Sequence, residues 1–295
     1  NGRGFPKFQR AVSQTLSNQL PYEFMGYSTN FGAPEANGVR HPVKIKSGPV
    51  NHMVNIYTPR MFFQARLGID PTRTIKATDW LTIPKQRLLE VFSGEVFNDG
   101  LAQLVKIRER LKFYPHDIWL YILAAQWKRI SDEEAFVGRA GEVGDELGSQ
   151  IVAARLVREI MRLALLMEKQ YAPYSKWLGS AFNKLQISKR LGPVLRDVLL
   201  EGSWKAREKK LAQAYAIVAS QHNALKITKA LPTKVTKYFN RPYLVIHGDN
   251  FANEIRKAIK DPQVKRISID IGAVDQITDS SDLTVELARQ LGSIY

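Results

Sequence analysis

Ile151-Val-Ala-Ala-Arg155-Leu-Val-Arg158-Glu159-Ile-Met-Arg162-Leu-Ala-Leu-Leu-Met167-Glu-Lys169 is the stretch on which the fold turns. Up to Met167 its charges, Arg155, Arg158, Glu159 and Arg162, fall at i, i+3, i+4 and i+7, and everything between them is apolar. That spacing gathers the charges into one stripe of an α-helix and leaves the remaining surface to be buried. Such a helix needs other helices around it, so the middle of the chain reads as a helical bundle.

The neighbours agree. Leu101–Phe113 is amphipathic at helical spacing, and Pro115 stands where a helix over Asp117–Ile130 would start. On the other side, helices are expected over Ser175–Leu185, Pro193–Leu200 and Ser203–Leu225. The intervals are short, which favours antiparallel neighbours. Gly138, Gly141, Gly144 and Gly148 interrupt the interval before Ile151. Glycines there let backbone approach a ligand closely.

The first hundred residues read as mixed. Phe5–Leu20 looks helical and closes at Pro21. Strands are expected over Phe24–Phe31, around Val43 and Ile45, and over Met53–Tyr57. A short helix follows Pro59, and Asp79 caps the approach to a helix over Pro84–Phe92. In the tail, Tyr243–Ile246 and Ile267–Ile271 alternate as strands, with a helix over Phe251–Ile259 between them. The fold class is therefore α+β: an incomplete mixed sheet over residues 1–100, a helical bundle over 101–236, and a small α/β segment over 237–295 that packs on the other two.

Composition narrows the chemistry. The 295 residues suffice for about two domains. The absence of cysteine excludes a disulfide scaffold, a thiolate zinc site, an iron–sulfur cluster and a cysteine nucleophile. It also fits a cytoplasmic protein. No signal-peptide core is visible, and the longest apolar runs, Ile118–Ala125 and Leu163–Met167, fall far short of the ~20 residues of a membrane span. The chain starts Asn-Gly-Arg-Gly, without methionine, and reads as a fragment of something longer. The net charge of +15 points to an anionic partner. It is unevenly spread: residues 1–100 hold 12 basic and 7 acidic groups, 101–236 hold 23 and 13, and 237–295 hold 8 of each.

Two constellations stand out. Asp132, Glu133, Glu134, Glu142, Asp145 and Glu146 crowd around one cation, Arg139. Gathered carboxylates can bind cations or act as general bases. The structural alternative pairs them with Arg155, Arg158 and Arg162. The second constellation is Tyr171-Ala-Pro-Tyr174-Ser-Lys176-Trp177, whose aromatics could stack a base while Lys176 holds a phosphate. Its alternative is a join between helices with the aromatics in the core. The histidines at 41, 52, 116, 222 and 247 lack ligand spacing, so no metal site is read from them. There is no GxxxxGK[ST], HExxH or GxSxG motif.

Several runs together resemble one family. They are Trp119–Trp127, Glu133–Arg139, Gly144–Ser149, Ala153–Val157 and Tyr171–Gly179, with Arg241-Pro, Val245-Ile-His247 and Ile271–Gln276 in the tail. The family is an uncharacterised bacterial and archaeal domain of unknown function related to nucleotidyltransferases of the aminoglycoside-nucleotidyltransferase type. The resemblance implies a nucleotidyltransferase-like mixed sheet followed by a helical domain, and transfer of a nucleotidyl group from ATP or another NTP with Mg²⁺. It implies catalytic acids upstream of Phe5 and puts Asn55 where the third carboxylate would stand. By the same analogy Glu133 and Glu134 are candidate catalytic groups. Arg155, Tyr174 and Lys176 are candidates for the nucleotide, and Glu142, Asp145 and Tyr171 for the acceptor, a small molecule or RNA. The alternative is a non-catalytic nucleotide- or RNA-binding module. The sequence leaves the oligomeric state open.

Overall fold

The computed structural model describes residues 4–280, which form two compact units divided between Phe62 and Phe63. In chain order the helices are α1 (Phe5–Gln19), α2 (Pro59–Leu67), α3 (Ala77–Thr82), α4 (Lys85–Phe92), α5 (Leu104–Leu111), α6 (His116–Glu133) and α7 (Phe136–Glu142). They continue with α8 (Glu146–Met167), α9 (Ser175–Phe182), α10 (Ser188–Leu200), α11 (Trp204–Ala224), α12 (Gly248–Ala258), α13 (Pro262–Lys265) and α14 (Val274–Ile277). The strands are two short antiparallel pairs. β1 (Glu23–Phe24) pairs with β2 (Tyr27–Ser28), and β3 (Thr236–Lys237) with β4 (Leu244–Val245). The architecture is thus α+β and mainly a helical bundle.

In the first unit α1 carries Pro6 in its first turn, where a missing N–H costs nothing. The β1–β2 hairpin turns through Met25 and Gly26, both left-handed. The strands expected at Val43–Ile45 and Met53–Tyr57 are irregular chain instead. Backbone pairing there is reduced to isolated bonds, such as Val43 N–H to the Asn30 carbonyl and Phe31 N–H to the Asn51 carbonyl, both at 2.9 Å, and side chains bond the backbone beside them. Asn30 accepts from the Asn51 N–H at 2.9 Å and donates to the Val43 carbonyl at 3.1 Å, while Asn51 donates to the Phe31 carbonyl at 2.7 Å. Met53 is left-handed, which breaks an extended run. Among the described residues of this unit, Asn30 and Val50 alone are fully buried.

In the second unit α6 is the axis. From Ile118 to Trp127 every side chain is buried, and all but Gln126 are apolar or aromatic, with α8 on one side of the helix and α12 on another. The Trp119 indole N–H donates to the Leu166 carbonyl at 2.9 Å, pinning α6 to the end of α8. Apolar surface buried along α6 stabilises the bundle at ~25 cal/mol per Å². The α8 helix starts earlier than the apolar spacing suggests, because Asp145 caps it by accepting from the Gly148 N–H at 2.7 Å. The α11 helix packs on α7, α8 and α10. The glycines before α8 serve this packing. A Cβ on Gly141 would lie 2.0 Å from the Trp204 ring, and one on Gly138 2.6 Å from Tyr243.

Two further expectations change. Pro193 lies inside α10 rather than at its start, and the helix begins at Ser188. Ile267–Ile271 is a turn, not a strand. The Arg256 guanidinium donates to the Ile267 carbonyl at 2.6 Å and the Tyr121 hydroxyl to the Ser268 carbonyl at 2.9 Å, so the acceptors a ladder would use are taken. Among the described residues no helix is long and apolar enough to cross a membrane.

Candidate functional site

Of the clefts on the second unit, two bring together charged residues of several elements. The smaller, about 300 Å³, lies between the start of α4 (Pro84–Arg87, with Glu90), Arg162 on α8, the turn Ala172–Ser175, and Asp275, Thr278 and Asp279 of the tail. The larger, about 950 Å³, is lined by Lys128, Asp132, Glu134, Phe136, the Tyr238–Phe239 turn, the start of α12 and Arg266–Asp270.

Lys85 dominates the smaller cleft. It opens α4 and shares its buried face with Leu88 and Val91. Its side chain is almost wholly buried, at 2 % relative exposure, yet it belongs to the cleft wall. Its backbone N–H donates to the Asp275 carboxylate at 2.9 Å. Its ammonium hydrogen-bonds to none of the described residues. Burial pulls it down from 10.5 to about 8; Asp275 opposes that fall and Arg162 adds to it. A largely buried lysine without a hydrogen bond to its ammonium, beside an opening, is held at a cost that an anion entering the cleft would offset.

Behind Lys85 lies a charged network on the stripe of α8. Glu159, 4 % exposed, takes Gln126 at 2.6 Å, Arg129 at 3.2 Å and Arg158 at 3.1 Å, with Arg162 at 3.5 Å. Burial works to raise its carboxyl, but Arg162 and Arg129 hold it below the usual range. Arg158 grips Asp279 with both terminal nitrogens at 2.8 Å, and Arg162 reaches the same carboxylate at 3.3 Å. The tail is pinned alongside. Gln276 donates to the Ile122 carbonyl and to Gln126, and Arg129 donates to the Gln276 carbonyl at 2.7 Å. On the cleft's rim Arg87 pairs with Glu90 at 2.8 Å.

The residues singled out from sequence scatter around this arrangement. Glu133 and Arg155 meet each other as a two-point ion pair, at 2.6 and 3.1 Å. Glu134 is buried and staples the end of α6 to the approach of α12, accepting from the Ile246 N–H at 2.8 Å and the Gly248 N–H at 3.2 Å. Burial raises its carboxyl to about 7, against the pull of those N–H groups. Glu142 accepts from the Tyr243 hydroxyl, and Asp145 is the helix cap already described. Tyr171 is buried among Phe113 and Tyr114, donating to the Leu111 carbonyl at 2.9 Å. Lys176 is exposed over the Trp177 ring at 5.1 Å. Tyr174 does line the smaller cleft, half-exposed, and its N–H reaches the Gln86 side chain at 3.3 Å. Of the eight, then, the structure brings Glu133 and Arg155 together, puts Tyr174 on the smaller cleft and Glu134 on the larger.

Sequence reading missed Lys85, Arg87, Asp275 and Asp279. A signal for Lys85 was present: it sits three and six residues before Leu88 and Val91, on their side of the helix. No comparable signal marks Asp279, whose partners lie more than a hundred residues away.

No curated protein and no solved structure matches the chain. Residues 80–178, which include the α4 start, Arg162 and the Ala172–Ser175 turn, match the model of a family described as a domain of unknown function (DUF4037).

Proposed function

We propose that this chain supplies the nucleotide-holding helical part of a cytoplasmic, nucleotidyltransferase-like protein, with the phosphates of a nucleoside triphosphate seated in the cleft of Lys85, Arg87 and Arg162. The observation that carries this reading is Lys85, a side chain only 2 % exposed on the wall of an open cleft, whose ammonium hydrogen-bonds to none of the described residues. A cleft of about 300 Å³ is at the small end for a ligand site, so it suits a phosphate chain with the rest of the nucleotide outside. Tyr174 stands at the rim, where its ring can stack on a base. Arg87 and Arg162 offer planar donor forks to phosphate oxygens, and Lys85 a point charge beneath them. The resemblance also implies Mg²⁺. Among the described residues, no group of three or more His, Asp or Glu could hold a metal ion. What the described residues of the cleft bring to the phosphates is the set of cations Lys85, Arg87 and Arg162. The nucleotidyl acceptor, a small molecule or RNA, belongs to the same proposal.

Titration calorimetry at pH 7 with ATP, inorganic triphosphate and adenosine tests it. ATP and triphosphate bind and adenosine does not. Lys85→Met weakens both by about tenfold or more, the loss of one charge-assisted contact. Undiminished ATP affinity in Lys85→Met sinks the reading. Pyrophosphate release on adding an RNA or amine-bearing acceptor separates transfer from binding alone.

A further inference from the structure

We infer that Asp279 occupies the anion seat of the cleft, so that the phosphate of an incoming ligand takes its place on Arg158 and Arg162. The inference rests on reading the cleft as a phosphate site and adds how that site is held when empty. The geometry is that of a bound anion. One carboxylate takes a fork of two 2.8 Å bonds from Arg158 and a third contact of 3.3 Å from Arg162, as a phosphate would. Asp279 comes from a segment otherwise anchored without it, through Gln276 and Asp275. Releasing its carboxylate leaves that anchor in place.

Charge counting points the same way. Lys85, Arg129, Arg158 and Arg162 carry four positive charges, and Glu159, Asp275 and Asp279 three negative ones. With Asp279 in its seat the surplus is one; with Asp279 away it is two, matching a phosphate group. Glu159 cannot be the group displaced, because it is buried and also bonded by Gln126 and Arg129. Asp279 can, because its side chain is 52 % exposed. A ligand that must first displace an internal competitor binds more weakly by the fraction of molecules in which the seat is free.

The test uses inorganic triphosphate as probe on the full chain, with wild type, Asp279→Ala, Asp279→Asn, Asp279→Glu and Lys85→Met. Asp279→Ala and Asp279→Asn bind about tenfold more tightly than wild type, as expected for a seat free in about a tenth of molecules, and Asp279→Glu binds as wild type does. Hydrogen exchange supplies a readout that mere removal of a charge would not move: adding triphosphate to wild type speeds amide exchange around Asp279. Equal or weaker binding in both neutral variants overturns the inference, and so does exchange that is unchanged or slowed by the probe. If Lys85→Met weakens triphosphate and the Asp279 variants do not tighten it, the cleft reading survives and the displacement fails. If Lys85→Met changes nothing, the cleft reading itself fails.

Discussion

Replacing Lys85 with methionine should make the ligand-free protein more stable. The side chain is buried and its ammonium has no hydrogen-bond partner among the described residues, so methionine keeps the length and removes the charge. Burial lowers the group from 10.5 to about 8. That fall, at ~1.36 kcal/mol for each tenfold loss of proton affinity, puts the destabilisation at about 3 kcal/mol as an upper figure. The sign follows from proton binding. Below about pH 8 both folded and unfolded chains carry the charge, and the folded chain bears the full cost of burying it. Between about 8 and 10.5 the folded chain has released the proton and the unfolded chain has not, so wild-type stability rises with pH over that window. Urea unfolding followed by circular dichroism, at several pH values from 6.5 to 10.5, reads this directly. The expected outcome is a methionine variant more stable by ~1–3 kcal/mol at pH 6.5, with the advantage shrinking steadily above pH 8. A variant less stable at pH 6.5, or an advantage independent of pH, would refute the idea that Lys85 is a buried charge held for a ligand.

Other perturbations address the frame around the cleft. Glu134→Ala leaves the Ile246 and Gly248 N–H groups unpaired and buried, and should cost ~2–4 kcal/mol, read as a lower urea midpoint at pH 7. Because the Glu134 carboxyl is raised from 4.5 to about 7, its contribution to stability is lost as pH rises through that window. Glu134→Gln, which cannot ionise, should therefore gain on wild type between pH 5 and 7.5 in the same assay. Gly141→Ala drives a methyl into the Trp204 ring and should lower stability by ~1–3 kcal/mol in a thermal melt; an unchanged melting temperature would deny the close contact of α7 with α11. Arg207, 1 % exposed, donates to Ser149 at 2.7 Å, to Glu146 at 3.2 Å and to the Glu201 carbonyl at 2.9 Å. Arg207→Ala should cost ~3–5 kcal/mol and shift the urea midpoint accordingly.

The helices were legible because their signal is local. The stripe of Arg155, Arg158, Glu159 and Arg162 and the apolar run from Ile118 each fix a periodicity within one element, and both elements lie close to where the spacing puts them. The strands were misread for the complementary reason. The alternation at Ile267–Ile271 is real as a pattern of exposure, since Ile267 is buried and Ser268 and Asp270 are exposed. A strand additionally needs a partner, and no single segment encodes one. Around residues 43–57 the side chains of Asn30, Asn51 and His52 bond backbone groups beside a few isolated backbone pairs, which competes with extending those pairs into a ladder.

The candidate site was harder, because residue type alone does not say whether a charge has a partner. The acidic run at 132–146 looked chemically rich, yet each of its candidate groups is engaged locally: Glu133 by Arg155, Glu134 by backbone N–H groups, Glu142 by Tyr243, Asp145 by its own helix. Those partners satisfy the acids and leave little for a ligand to gain. Lys85 looked ordinary, one lysine among many, yet it is buried on the cleft wall, and the nearby Asp275 offsets only part of what burial costs it. Free energy left unrecovered in a folded chain is what a ligand can recover on binding. A densely charged stretch whose charges are paired is therefore a weaker pointer to function than a single cation on the apolar face of a short helix.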